Sequence, residues 1–230
     1  MGNVAIITAR GGSKRIPRKN IKAFLGKPII AYSIETALNS GLFDYVMVST
    51  DDDEIAEVAK KYGAEVPFTR SKQTSDDFTG TADVVIEVLN DLKKIGKEFI
   101  NACCIYPTAP FISKQTLNDS YSLLVTEKFD SVFPVCAFSY PIQRALEIND
   151  SKTTMVWEEN LTKRSQDLAP RYHDAGQFYW LNIQSFLNAK KLFTQNTGSI
   201  ILDELKVQDI DNETDWKLAE LKYNLLQLKN

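Results

Sequence analysis

Short apolar runs alternate with amphipathic helical stripes through the first 140 residues of this 230-residue chain, and that alternation constrains the fold more than any other feature. Residues 4–8, 45–49, 102–106 and 131–138 read as strands. Between them, residues 29–38 carry a stripe at Ile30, Ile34, Ala37 and Leu38, residues 55–62 stop at Gly63, and residues 82–95 and 114–126 are helical. A βαβα order of this kind predicts an α/β fold, a mostly parallel sheet with helices on both faces. Ligands of such sheets bind in the crevice outside the carboxyl ends of the strands. The polar clusters sit at those ends: a basic loop after the first strand, Asp51, Asp52 and Asp53 after the second, and Tyr106-Pro107-Thr108 after the strand at 102–106. They are predicted to converge on one edge.

From about residue 139 to 171 the pattern changes. Charges mix with apolar residues, and short β-like pieces occur near 145–148 and 155–157. Residues 139–171 therefore read as an insertion into an α/β domain made of 1–138 and 172–230. Residues 177–181 return to a strand, and an amphipathic helix at 213–226 closes the chain. A net charge of -3 and a pI near 5.4 argue against a nucleic-acid partner, which calls for a basic face. Cys103, Cys104 and Cys136 lie in apolar segments with no CxxC, so they read as reduced core residues; with His173 the sole histidine, no zinc-ligand spacing exists. No stretch reaches membrane-spanning length, and the N-terminal apolar run is too short for a secretory signal. Met1-Gly2 begins a myristoylation pattern that Ile6 breaks. The expectation is a soluble cytoplasmic protein with no membrane partner.

The basic loop, residues 9–20, reads ARGGSKRIPRKN. Gly11 and Gly12 let the backbone turn and approach a bound group closely, while Lys14, Arg15, Arg18 and Lys19 can neutralise several negative charges at once. Pro17 stiffens the loop and lowers the entropy lost on ordering it. Strand followed by glycine-rich cationic loop points to a nucleoside triphosphate, although neither GxxxxGK[ST] nor GxGxxG is present. Late in the chain, Asp209-Ile210-Asp211 places two carboxylates on one face if extended, a pair suited to magnesium. The same residues also read as the start of the last helix, with Asp211 or Asn212 as its cap; the two readings are compatible. Adjacent His173 and Asp174 would point to opposite faces of a strand, which disfavours a direct dyad. The surrounding Arg164, Gln166, Arg171, Tyr172 and Gln177 nevertheless form a hydrogen-bonding surface of the kind that recognises sugars.

Taken in order, ARGGSKRIPRKN, Ser49-Thr50-Asp51, Ser75-Asp76, Tyr106-Pro107-Thr108-Ala109-Pro110 and Asp209-Ile210-Asp211 resemble the acylneuraminate cytidylyltransferase (CMP-sialic acid synthetase) family over nearly the whole chain. The resemblance implies a Rossmann-like α/β domain with a small dimerisation insertion, and a homodimer that converts CTP and a nine-carbon sugar acid into CMP-sugar and pyrophosphate. It implies that Arg10, Gly11, Gly12, Ser13 and Lys14 bind the triphosphate, Lys19 and Asn20 phosphate and nucleotide, and Arg70 and the Thr81 region the cytidine. Asp209 and Asp211 would hold Mg²⁺. The sugar side departs from sialic-acid members at Tyr106, at Phe111-Ile112 and at His173-Asp174-Ala175-Gly176. The stretch YHDAGQFYW from Tyr172 resembles the pseudaminic-acid branch, so pseudaminic acid is the implied acceptor, with legionaminic or N-acetylneuraminic acid as the alternative and a non-catalytic nucleotide-binding protein as a second. Tyr106, Arg164, Gln166, Arg171, His173, Asp174 and Gln177 are the implied sugar residues.

Overall fold

The structure is a computed structural model that describes residues 2–228; Met1, with the start of the Met1-Gly2 pattern, and Lys229 and Asn230 lie outside it. Strand β1 (Asn3–Thr8) leads into the basic loop, followed by a small antiparallel ribbon of β2 (Ala23–Phe24) and β3 (Lys27–Pro28). Then come helix α1 (Ile29–Ser40), β4 (Tyr45–Ser49), α2 (Asp53–Lys61), α3 (Thr81–Lys94), β5 (Asn101–Ile105), α4 (Lys114–Thr126) and β6 (Ser131–Ala137). All of these but the ribbon match the expected elements to within a residue or two. The insertion holds a hairpin of β7 (Leu146–Asn149) and β8 (Lys152–Met155). The chain returns through β9 (Tyr172–Asp174), β10 (Phe178–Asn182), α5 (Ile183–Ala189), β11 (Thr197–Leu202) and α6 (Glu213–Gln227). The ribbon, β9, α5 and β11 were not foreseen.

The main sheet runs β11-β6-β10-β5-β1-β4, with β9 paired to β6. β1 is parallel to β4 and β5, and β11 to β6, whereas β10 and β9 run antiparallel to their neighbours. Alternation along the strands feeds two cores. Ala5, Ile7, Cys103 and Ile105 face α1, α2 and α4 through Ile30, Ile34, Ile55 and Leu117. Val4, Ile6, Ala102 and Cys104 face α3 and α5 through Val85, Val88, Leu92 and Phe186. Both sheet faces are therefore covered, which explains why the central strands read as unbroken apolar runs.

A third apolar cluster bears directly on function. Ile16 of the basic loop, Phe24, Ile29, Tyr32, Phe111, Ile210, Trp216 and Ala219 pack together, with Ile16 and Ile210 each only 1% exposed. Phe24 meets Tyr32, Trp216 and Tyr223 edge-on at 5.4–5.7 Å, a favoured aromatic geometry. This cluster ties the basic loop to the segment before α6, two parts of the chain about 190 residues apart.

Candidate active site

The carboxyl ends of β1 and β5 open onto a cleft of about 620 Å³, a volume in the range of small-molecule sites. Arg10, Ser13, Lys14, Lys19, Asn20, Arg70, Thr81, Asp209 and Asp211 line it, together with Tyr106 of the sugar set. Gly11 and Gly12 complete the loop. A side chain at Gly11 would bring its Cβ to 2.6 Å from Asp52 Oδ2, so glycine is required by close approach; nothing lies within 4 Å of a Cβ at Gly12. The Gly11 N–H donates to Asp51 Oδ1 at 2.9 Å, docking the loop on the end of β4.

Arg18 departs from the expectation of a phosphate cation. It has a left-handed backbone (φ 56°) and turns away from the cleft to hold both oxygens of Asp52, at 2.5 and 2.8 Å, and also Glu54. Asp52 caps α2 by accepting from Ile55 N, and the Arg18 hydrogen bond pushes its carboxyl down to about 2. The same guanidinium that reads as a ligand in the sequence is a clamp between loop and helix.

Ile210 points into the third core, so its neighbours Asp209 and Asp211 face the cleft together. The cap is Asn212, whose side chain accepts from Thr214 N and Asp215 N while Asp215 accepts from Asn212 N at 3.0 Å and Asp211 N at 2.9 Å. This capping box leaves the Asp211 carboxylate free to act elsewhere. Arg15 reaches Asp211 at 2.8 Å, and Lys19 lies 3.8 Å from it while donating to the Ile210 carbonyl at 2.6 Å. Burial lowers the Lys19 pKa against the pull of Asp211 and Asp209. Burial, and then the Asp211 charge, raises that of Asp209, which has no ion-pair partner among the described residues. Two neighbouring carboxylates at the cleft wall, Asp209 exposed and Asp211 partly so, are oxygen donors of the kind a divalent cation takes. Two carboxylates fit Mg²⁺ by donor type, since that ion keeps water and phosphate oxygens as its other ligands; no group of three or more His, Cys, Asp or Glu that could hold a metal occurs among the described residues.

Arg70 is buried and donates to the Ser49 hydroxyl at 3.0 Å and to the Ser49 carbonyl. The Tyr106 and Thr81 hydroxyls lie 3.0 Å apart, and burial raises the Tyr106 pKa. The other expected sugar residues stand outside the cleft. Arg164 chelates Asp167 at 2.7 and 3.0 Å on the exposed insertion, where Gln166 is also exposed, and Arg171 lines a separate hollow there. His173 lines a smaller hollow that shares Asp209 with the main cleft. Its ring stands edge-on to Phe138, and its Nδ1 lies 2.8 Å from the Asp174 carbonyl, with no side-chain bond to Asp174. Asp174 accepts from Tyr179 Oη at 2.5 Å and from Gly176 N, and buried Gln177 donates to the Lys206 carbonyl. Thr74, Asp77 and Thr79 line the cleft without having been anticipated. Ser75-Asp76 was the nearest signal, and the Asp77 contacts cross 63 and 67 residues of chain.

Such a cleft, cations facing a carboxylate pair at the carboxyl edge of a mostly parallel sheet, defines an α/β nucleotidyltransferase. A family model described as cytidylyltransferase matches residues 4–227, and the chain belongs to that family. It is 44% identical over 226 residues to a pseudaminic acid cytidylyltransferase of Campylobacter jejuni, covering 98% of this chain and 97% of the relative. It is 33% identical to the CMP-N,N'-diacetyllegionaminic acid synthase of Legionella pneumophila, covering 97% of each. Among solved structures, CMP:2-keto-3-deoxy-manno-octonic acid synthetase complexed with CTP superposes with a TM-score of 0.69 over 99% of both chains; at 17% identity this likeness speaks for the fold.

Proposed function

We propose that this protein transfers CMP from CTP to pseudaminic acid and releases pyrophosphate. The observation that carries the nucleotide half is the cleft that Arg10, Lys14 and Lys19 line together with Asp209 and Asp211. Full-length similarity to a pseudaminic acid cytidylyltransferase supports the acceptor. In this reading the loop from Arg10 to Asn20 receives the triphosphate, with Arg70 and Thr81 beside the cytidine. Asp209 and Asp211 would hold Mg²⁺, which supplies charge neutralisation at the phosphates and lowers the pKa of a coordinated hydroxyl. Held in line, the anomeric hydroxyl of the sugar gives up its proton to water and forms a bond to the α-phosphorus as the bond to pyrophosphate breaks. Positioning and charge neutralisation by Arg10, Lys14 and Lys19 then carry the rate, since negative charge grows on the departing pyrophosphate.

The same reading makes the protein a cytoplasmic homodimer that pairs through the insertion. Tyr140, Leu146, Ile148 and Leu161 support this, since they are 60% to 71% exposed in one chain and large apolar groups so placed favour a protein contact. Pyrophosphate release from CTP or UTP with pseudaminic, legionaminic or N-acetylneuraminic acid tests the reading. CTP with pseudaminic acid is expected to give the highest kcat/KM. Preference for another acid would replace the acceptor, and no release with any pair would leave a nucleotide-binding protein.

A further inference from the structure

All four loop cations that line the cleft lie within ion-pair distance of a carboxylate: Arg15 and Lys19 of Asp211, and Arg10 and Lys14 of Asp77. Arg10 Nη1 donates at 2.7 Å both to Asp77 Oδ1 and to the Asp76 carbonyl, while Lys14 Nζ pairs with the other oxygen of Asp77. One carboxylate thus bridges both cations through separate oxygens, as two oxygens of a phosphate would. The segment that presents it is fixed at two points. Glu87 of α3 accepts from Ser71 N and Ser71 Oγ at 2.8 Å and from Thr74 Oγ1 at 2.5 Å. Asp76 accepts from Phe78 N, Thr79 N and Thr79 Oγ1 at 2.6–3.0 Å, a side-chain-stabilised turn that sets the direction of Asp77.

We propose that Asp77 is an internal anion that occupies the phosphate subsite of the cleft and sets the affinity for nucleotide. The proposal rests on the reading of Arg10 and Lys14 as triphosphate ligands. A triphosphate and the Asp77 carboxylate claim the same N–H donors, and like charges brought together repel, so binding one displaces the other. The Asp77 pairs are partly exposed and screened, the weaker kind of ion pair, whereas a polyanion offers several charge-assisted bonds at once. CTP therefore wins, but with lower affinity than the bare cations would give. In the free protein Asp77 keeps two like-charged side chains gathered at one point. After transfer it competes with pyrophosphate for the same donors and favours its departure.

The test compares wild type, Asp77→Asn, Asp77→Ser and Asp77→Glu, with calorimetric binding of CTP and of pyrophosphate measured alongside the KM for CTP. Removing the charge in Asn and Ser should tighten both ligands by about three- to tenfold, as expected for releasing two exposed ion pairs. Glu keeps the charge and should stay within about twofold of wild type. Unchanged or weaker binding in both neutral variants overturns the proposal, as does equal tightening in Glu. The underlying reading fails separately: wild type would then bind no CTP, or Arg10→Ala would leave CTP affinity where it was.

Discussion

The two halves of the molecule are prepared to different degrees. On the nucleotide side, the loop is docked by Gly11 on Asp51, by Arg18 on Asp52 and by Ile16 in the same core as Ile210, so its cations and the aspartate pair are held within one chain. On the insertion, Arg164 is satisfied by its neighbour Asp167, and β7 is exposed along its whole length. A polyanion must be met by charges already in place, because gathering like-charged side chains costs free energy that binding would otherwise deliver. On the insertion Tyr140, Leu146, Ile148 and Leu161 instead leave apolar surface bare.

The strongest way to break this contrast is at the aspartate pair. Asp211→Asn should cut turnover by about 100-fold or more, as for other losses of electrostatic stabilisation in the reacting complex, while CTP affinity changes only a few-fold. Steady-state kinetics with direct nucleotide titration separates the two, and near-normal turnover would remove the metal role. Next, Arg10→Ala should raise the KM for CTP by about tenfold, the loss of one charge-assisted contact, and leave the KM for the sugar acid unmoved. Equal changes in both would mean that loop and insertion are not separate binding regions. A smaller effect is expected at His173→Ala: a rise of roughly threefold to tenfold in the sugar KM with CTP affinity intact, consistent with one lost neutral hydrogen bond. If CTP binding weakens instead, His173 belongs to the nucleotide side through the Asp209 it lies beside.

How legible each side was in the sequence follows from the same difference. The basic loop concentrates its glycines and cations within a dozen residues, so ARGGSKRIPRKN stands out unaided. Asp209 and Asp211 could be paired by period two, but that Asn212 and not Asp211 caps α6 shows only in its bonds with Thr214 and Asp215. Arg18 shows the limit: its charge reads the same whether it meets phosphate or Asp52, and only tertiary neighbours decide. Asp77 left no local trace because its partners lie more than 60 residues away. The unforeseen elements were those with weak periodicity. β9 has three residues, α5 seven, and β11 is an edge strand on which only Gly198 is buried. Where side chains are not sorted into faces, pattern carries little information.

The smallest expected effect concerns the clamp that makes the nucleotide side rigid. Asp52 titrates at about 2 in the folded protein, below its ordinary 3.8, because Arg18 bonds its charged form. A carboxyl lowered in this way adds stability that is fully present above pH 4 and is lost as pH falls toward 2. Arg18 is 38% exposed, so solvent screening reduces the contribution to about 1 kcal/mol. Asp52→Asn keeps the helix cap, since Asn caps as well as Asp, and removes only the charge. Urea unfolding at pH 4, 3 and 2 should therefore show wild type losing about 1 kcal/mol more than Asp52→Asn over that interval. Asp167→Asn on the insertion, whose partner Arg164 is 71% exposed, should follow the wild-type curve throughout. Parallel curves for wild type and Asp52→Asn would show that Arg18 and Asp52 do not hold the loop, leaving the buried Ile16 contact as its anchor.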